Sequence, residues 1–156
     1  MTIAPSVKNY LGEQEVDYQV VTHSHTVASM ESAEAAHVSG EGLAKAVVLK
    51  DDEGYLLAVM PATYKLTLGE LHDVLGRRFK MATEEELGGL FGDCEIGAVP
   101  PLGKAYGIEA VWDDSLAQMK EVYFEGGDHS SLVQVSGEGF RKLMAGAEHG
   151  AFSHHV

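Results

Sequence analysis

The stretch Leu43-Ala-Lys-Ala-Val-Val-Leu-Lys50 constrains the fold more than any other part of the chain. It is the most apolar and most strand-like run present. Strand side chains alternate between faces, so Lys45, Val47 and Leu49 share one face and Ala46, Val48 and Lys50 the other. Both faces are largely apolar, which predicts a strand covered on both sides. Lys50 ends the run beside Asp51-Asp-Glu-Gly54 and reaches water from there. Lys45 has apolar neighbours at i+2 and i+4, and a buried unpaired ammonium is costly. Two readings follow from the local sequence. Lys45 either snorkels to solvent from a strand edge, or it lines a pocket and binds an anion or a carbonyl with partners from elsewhere in the chain.

At 156 residues and 45% hydrophobic content the chain predicts a single domain with a proper core. One cysteine, Cys94, excludes an internal disulfide and fits a reducing compartment. The first residues lack the apolar core of a signal peptide, and no run is long enough to span a membrane, so a cytoplasmic protein is expected. The formal net charge of -13 opposes nonspecific attraction to nucleic acid. That charge is uneven. Before Lys45 the only basic residue is Lys8, whereas Pro61 to Lys80 holds Lys65, Arg77, Arg78 and Lys80 against Glu70 and Asp73. This patch reads either as a solvated helix face or as a contact for a phosphate backbone.

Hydrophobic spacing predicts a short helix from Ser6 to Gln14, a strand from Asp17 to Thr22 and a helix from Ser29 to His37. The central strand and Tyr55 to Met60 read as a β-hairpin. Thr67-Leu-Gly-Glu70 and Thr83-Glu-Glu-Glu86 have capping-box spacing and open two helices, ended by Gly76 and by Gly88-Gly89. Cys94 to Ala98 is expected to be extended. Ile108 to Trp112, Glu121 to Glu125 and Leu132 to Val135 read as strands, Asp113 to Ala117 as a turn or helical turn, and Ser136 opens a last helix. Residues 1–146 are expected to form the domain and 147–156 a frayed tail. Many short strands with interspersed helices give an α+β (mixed α/β) fold built on a mostly antiparallel or mixed sheet.

Several residue groups have chemical potential. Gly97-Ala-Val-Pro-Pro101 is a stiff loop: Pro100 and Pro101 restrict φ and donate no N–H, and Gly97 allows close approach. The amides of Gly97, Ala98 and Val99 suit a carbonyl or carboxylate, while Ala98, Val99 and Leu102 suit a small apolar pocket; the alternative is an ordinary connection. Gly126-Gly-Asp-His-Ser-Ser131 is a turn by composition. Within it Asp128 can accept from an ammonium or hydroxyl, and His129 can orient a substrate as a neutral imidazole. His23 and His25 share a strand face, but no third ligand lies close in sequence. Asp93 and Glu95 push the thiol pKa of Cys94 up, which opposes a nucleophilic role.

Three segments, Leu43-Ala-Lys-Ala-Val-Val-Leu49, Gly97-Ala-Val-Pro-Pro-Leu-Gly103 and Tyr123-Phe-Glu-Gly-Gly-Asp-His-Ser-Ser131, resemble in order and spacing the YbaK-type aminoacyl-tRNA deacylases, the superfamily of the prolyl-tRNA synthetase editing domain. The resemblance covers nearly the whole chain, to about Met144. It implies a compact mixed sheet rolled towards a barrel, with helices around it, and hydrolysis of the ester that joins a wrong amino acid to the tRNA 3′ end. It carries the essential lysine onto Lys45, the Gly-x-x-x-Pro loop onto Gly97 and Pro101, and the turn histidine onto His129, preceded by Gly127 and Asp128. Lys45 would engage the terminal nucleotide or the substrate carbonyl. The loop from Gly97 through Ala98, Val99 and Pro100 to Pro101 would hold the aminoacyl group. The substrate's own ribose hydroxyl would help water attack. No metal and no cofactor is implied.

The expected function is trans-editing of a tRNA charged with a small amino acid, with alanyl-tRNA of the proline type as the candidate. The expected partners are the aminoacyl-tRNA 3′ end and a synthetase or other tRNA-delivering protein. The alternative is a non-catalytic module of the same fold that binds an aminoacyl or nucleotide-like ligand or a synthetase, and the acidic composition favours it.

Overall fold

An apolar strand with side chains on both faces needs cover on each side. Both covers are present in the structure, a computed structural model that describes residues 3–23, 42–95 and 98–155. The central strand, β2 (Leu43–Asp51), forms an antiparallel hairpin with β3 (Gly54–Pro61), placing Lys45 opposite Met60 and Leu49 opposite Leu56. The Asp51 carboxylate accepts the amides of Glu53 and Gly54 and so closes the acidic turn.

Three further strands extend the hairpin on one side: β7 (Glu121–Glu125), β8 (Ser131–Ser136) and β1 (Tyr18–Thr22). On the other side lie β6 (Glu109–Asp113) and β9 (Glu148–Gly150). The resulting order is β1-β8-β7-β2-β3-β6-β9, with a two-residue strand, β5 (Lys80–Met81), also paired to β2. The β2–β7, β3–β6 and β6–β9 pairs are parallel and the other pairs antiparallel, so the sheet is mixed. Among the described residues β1 and β9 remain its two ends, and the sheet does not close into a barrel. A separate two-stranded sheet joins β4 (Tyr64–Leu66) to β10 (Ser153–His155).

One face of β2 gives Ala44 and Val48 to the main core, with Leu57 and Val59 of β3 and Val122 and Phe124 of β7. Helix α1 (Pro5–Glu13) covers this face with Val7, Tyr10 and Leu11, and a C-terminal helix, Gly137–Leu143, adds Phe140 and Leu143. The opposite face gives Leu49, Leu56, Ala58 and Met60 to a second core, capped by Leu71 of α2 (Leu68–Leu75) and by Phe152. Each fully buried leucine, methionine or phenylalanine among these contributes about 2 kcal/mol by removal from water. A smaller cluster of Leu43, Ala62 and Leu132 lies further along that face, and Lys45 stands between the two.

The helix signals are realised unevenly. At Thr83 the capping box forms in full: its hydroxyl accepts the Glu86 amide and Glu86 accepts the Thr83 amide, opening α3 (Glu84–Leu90). Thr67 caps α2 by position but makes no side-chain cap bond, so the box expected at Thr67–Glu70 does not form. Ser136 caps the C-terminal helix, α4, through the Gly139 amide. The helix expected over Ser29 to His37 lies outside the described residues.

The frayed tail is a correction. Residues 148–150 and 153–155 are strands, and Phe152 is fully buried. Asp113 is the cause. Its buried carboxylate accepts the amides of Phe152 and Ser153, both at 3.0 Å, and the Ser153 hydroxyl at 2.7 Å. Its other oxygen accepts from Ser115, which starts the 3-10 turn Asp114–Leu116.

Candidate functional site

The parallel pairing of β7 with β2 covers Leu43 with Tyr123 and Ala44 with Phe124, and stops there. β5 takes up the same edge of β2 again only at Leu49 and Lys50. Between them the edge of β2 faces a gap. The Val48 carbonyl accepts the Ala82 amide on that side, so by strand alternation the peptide groups of Ala46 point into the gap as well.

Lys45 is the first residue of β2 beyond the parallel pairing, and Glu125 is the first of β7. Alternation puts both side chains on the face of Leu43 and Tyr123. Lys45 is half-buried, and its desolvation lowers the ammonium pKa from the ordinary 10.5. An anionic ligand beside it would restore the charged form. Glu125 is 2% exposed, an unusual burial for a carboxylate.

The turn that follows β7 is held at several points. The Gly126 amide donates to the Ser131 carbonyl and the Gly126 carbonyl accepts from the Ala4 amide, while the Gly127 carbonyl accepts from the Glu95 amide at 2.7 Å. Gly127 has φ +114°, and a Cβ there would sit 3.0 Å from Ala4 Cβ and 3.1 Å from Cys94 Sγ, so the position requires glycine. Asp128 accepts the Ser130 amide at 2.9 Å and the Ser131 hydroxyl at 3.2 Å, which makes it the organiser of the turn. His129 occupies the left-handed region at φ +56° and is 2% exposed. Its Nδ1 lies 3.7 Å from Glu125 Oε2.

The structure therefore brings Lys45, Gly127, Asp128 and His129 to one end of the β2–β7 seam. The proline loop meets the expectation less closely. Gly97 lies outside the described residues. Ala98, Val99, Pro100 and Pro101 are buried, and Val99 and Leu102 pack into the main core. The Ala98 amide, expected to be available to a ligand, donates to the Glu95 carbonyl at 3.1 Å. His25 also lies outside the described residues. Cys94 touches the Tyr106 hydroxyl at 3.1 Å, and burial, then the Asp93 charge, push its thiol up to about 12. That leaves a poor nucleophile.

The buried Glu125 is not singled out in the sequence reading. The signal was present: an acidic side chain at the end of an apolar strand, just before Gly-Gly, mirrors Lys45 at the start of β2.

An open depression of about 890 Å³ lies at the far end of β2, lined among others by Lys50, Arg77, Arg78 and Lys80. Arg77 is committed there to Asp51, Glu53 and Glu109, and Lys50 to Glu86. Arg78 and Lys80 are exposed.

The aminoacyl-tRNA editing domain family matches residues 23–143 of the chain. No curated protein matches it. Among solved structures, the hypothetical protein APE2540 superimposes with a TM-score of 0.83 at 24% identity, over 96% of this chain and 99% of that one. A proposed trans-editing enzyme for prolyl-tRNA synthetase gives 0.81 at 25% identity, over 98% and 99%. A proposed signal transduction protein from Marinobacter aquaeolei gives 0.78 at 23% identity, with 95% of this chain matching 30% of that one, so the same fold also occurs as part of a longer chain.

Proposed function

The chain belongs to the aminoacyl-tRNA editing domain family, and from that membership we propose that it is a deacylase that clears a small, wrongly attached amino acid from tRNA. The observation that carries this reading is Lys45, a half-buried lysine on an apolar strand at the point where the sheet opens. The 3′ end of a tRNA supplies the negative charge that such a lysine needs, and the ester carbonyl supplies a dipole. Water would add to the carbonyl carbon, the bond to the ribose oxygen would break, and that oxygen would leave as a hydroxyl after taking up a proton. A neighbouring ribose hydroxyl would orient the water. His129 and the buried loop from Ala98 to Pro101, continuing from Gly97, would set the size of the aminoacyl pocket. The preferred substrate is alanyl-tRNA of the proline type, a choice suggested by the sequence resemblance; one of the similar structures is described as a proposed trans-editing enzyme for prolyl-tRNA synthetase. The protein would act in the cytoplasm, with a synthetase or another protein delivering the tRNA. No described helix is long and apolar enough to cross a membrane.

Lys45→Ala tests the reading. The variant is expected to lose at least about a hundredfold in deacylation rate, the scale of removing one preorganised electrostatic group, with an unchanged circular dichroism spectrum. Full turnover in the folded variant would refute the role of Lys45.

The net charge of -13 favours a second reading, a non-catalytic module that binds an aminoacyl or nucleotide-like ligand. It predicts affinity for stable aminoacyl-adenosine analogues without turnover of any charged tRNA.

A further inference from the structure

We propose that Asp93 and Tyr106 are positioning residues, which hold the proline loop and the Gly127–His129 turn at a fixed separation and through it set the preference for a small amino acid. This role rests on the deacylase reading and deepens it. The two segments lie far apart in sequence, and the backbone of Glu95 bridges them. Its amide donates to the Gly127 carbonyl at 2.7 Å, and its carbonyl accepts from the Ala98 amide at 3.1 Å. One residue thus ties the start of the described loop to the turn.

Asp93 fixes the chain just before that bridge. Its Oδ2 accepts the Ser6 amide, in the first turn of α1, at 2.9 Å. Its Oδ1 accepts the Tyr106 hydroxyl at 2.8 Å. Tyr106 ends the 3-10 turn Gly103–Tyr106, which follows the proline loop directly. The loop is therefore held near one end through Ala98 and beyond the other through Tyr106, both times by residues 93–95. The same end of α1 reaches the turn, since the Ala4 amide donates to the Gly126 carbonyl at 2.8 Å. The bonds form a closed ring around the two segments.

Cys94 fills the middle of the ring. Its Sγ lies 3.1 Å from the Tyr106 hydroxyl and 3.4 Å from Asp93 Oδ1. The phenol has one proton and gives it to the carboxylate, so the thiol proton goes to the phenol oxygen or to the carboxylate. A Cβ on Gly127 would lie 3.1 Å from the same sulfur, so the turn packs against Cys94 as well as bonding to Glu95. The Phe91 ring, 4.7 Å from that of Tyr106, supports the phenol from the core. Asp93 itself is exposed and outside every core cluster. Its charge strengthens the bonds that brace the two site segments. A pocket that tells amino acids apart by a methylene or two depends on such bracing, because a small widening admits the larger side chain.

The test measures kcat/KM for alanyl and valyl esters of one tRNA, each divided by its uncatalysed rate. Asp93→Ala and Tyr106→Phe should lower the alanyl preference about tenfold. Asp93→Asn, which keeps an acceptor oxygen without the charge, should lie between wild type and Asp93→Ala. Glu86→Gln is the control for lost stability, because it weakens the contacts with Lys50 and Tyr55 at the far end of β2 and should keep the wild-type ratio. Hydrogen exchange at the Glu95 and Ala98 amides should rise about tenfold in Tyr106→Phe while the β2–β3 hairpin keeps its protection. An unchanged ratio in Tyr106→Phe and Asp93→Asn overturns the proposal even if Asp93→Ala fails to fold. An equal fall in Glu86→Gln, or unchanged exchange at both amides, overturns it too. If the wild-type protein hydrolyses neither ester, the deacylase reading fails, and the ratio is taken instead from binding of the stable 3′-alanylamido and 3′-valylamido derivatives of 3′-deoxyadenosine. A fall of that ratio in the variants then supports the positioning role, and an unchanged ratio or no binding overturns it.

Discussion

At the scale of single residues, the site combines groups that a stability argument alone would not place together. Lys45 and Glu125 are charged positions on largely apolar strands, and His129 adopts a backbone conformation that is uncommon outside glycine. His129→Ala should change the preference between amino acids by about tenfold while leaving hydrolysis measurable, since a pocket wall discriminates on that scale. A panel of charged tRNAs checks this, and a variant indistinguishable from the wild type on every member would remove His129 from the pocket. Gly127→Ala should be worse for the fold. The added Cβ meets Ala4 and Cys94 at 3.0–3.1 Å on a backbone at φ +114°, so a loss of about 2 kcal/mol in urea unfolding is expected. Lys45 was legible in the sequence because a cation breaks an apolar pattern. Glu125 was not singled out because its significance depends on the strand beside it, and parallel pairing with β2 is a long-range fact.

At the scale of elements, local signals read well where the partner lies within a few residues. The hairpin β2–β3, the cap at Thr83 and the turn at Asp51 are all short-range. The strands β4, β5, β9 and β10 are two or three residues long and depend on contacts far away in sequence, so no periodicity announces them. The C-terminal segment shows why. A buried aspartate 39 and 40 positions upstream accepts its amides, and no property of residues 147–156 points to Asp113. Asp113→Ala should release Phe152 and both terminal strands, at a cost of about 3 kcal/mol in thermal or chemical unfolding. Rapid amide exchange at Phe152 and Ser153 in the variant would mark the mechanism, and retained protection there would contradict it. Glu86 should contribute to acid sensitivity, alongside Asp51 and Asp113, whose carboxyls are also held below their ordinary values. Hydrogen bonds from Lys50, Tyr55 and the Thr83 amide hold the Glu86 carboxyl at about 2, below the ordinary 4.5. A depressed carboxylate stabilises the fold above its unfolded pKa, and the effect is lost as pH falls through the folded one. Glu86→Gln should therefore flatten the stability curve between about pH 4.5 and 2, and an unchanged curve would assign acid unfolding to other groups.

At the scale of the whole molecule, the question is how a chain of net charge -13 meets a polyanion. Lys45 and Lys50 are five residues apart on β2, about 17 Å, which is about five stacked nucleotides along a strand. If the tRNA 3′ end sits at Lys45, the exposed Arg78 and Lys80 in the depression at the far end of β2 are the described cations to test for contact with the acceptor stem. Replacing both with alanine should weaken tRNA binding uniformly and reduce the slope of log affinity against log salt by about 2. An unchanged slope would place the tRNA backbone elsewhere or on a partner protein. The mixed α/β class of the fold was legible from many short strands and interspersed helices, whereas the open ends of the sheet emerge only from the pairing order.

The most direct measurement is deacylation of a panel of mischarged tRNAs at low and high salt, wild type beside Lys45→Ala. Hydrolysis of one or two species carrying small amino acids, absent in the variant, is the predicted result and would name the substrate. A folded wild-type protein that leaves every member of the panel intact would contradict the deacylase account and favour the binding module.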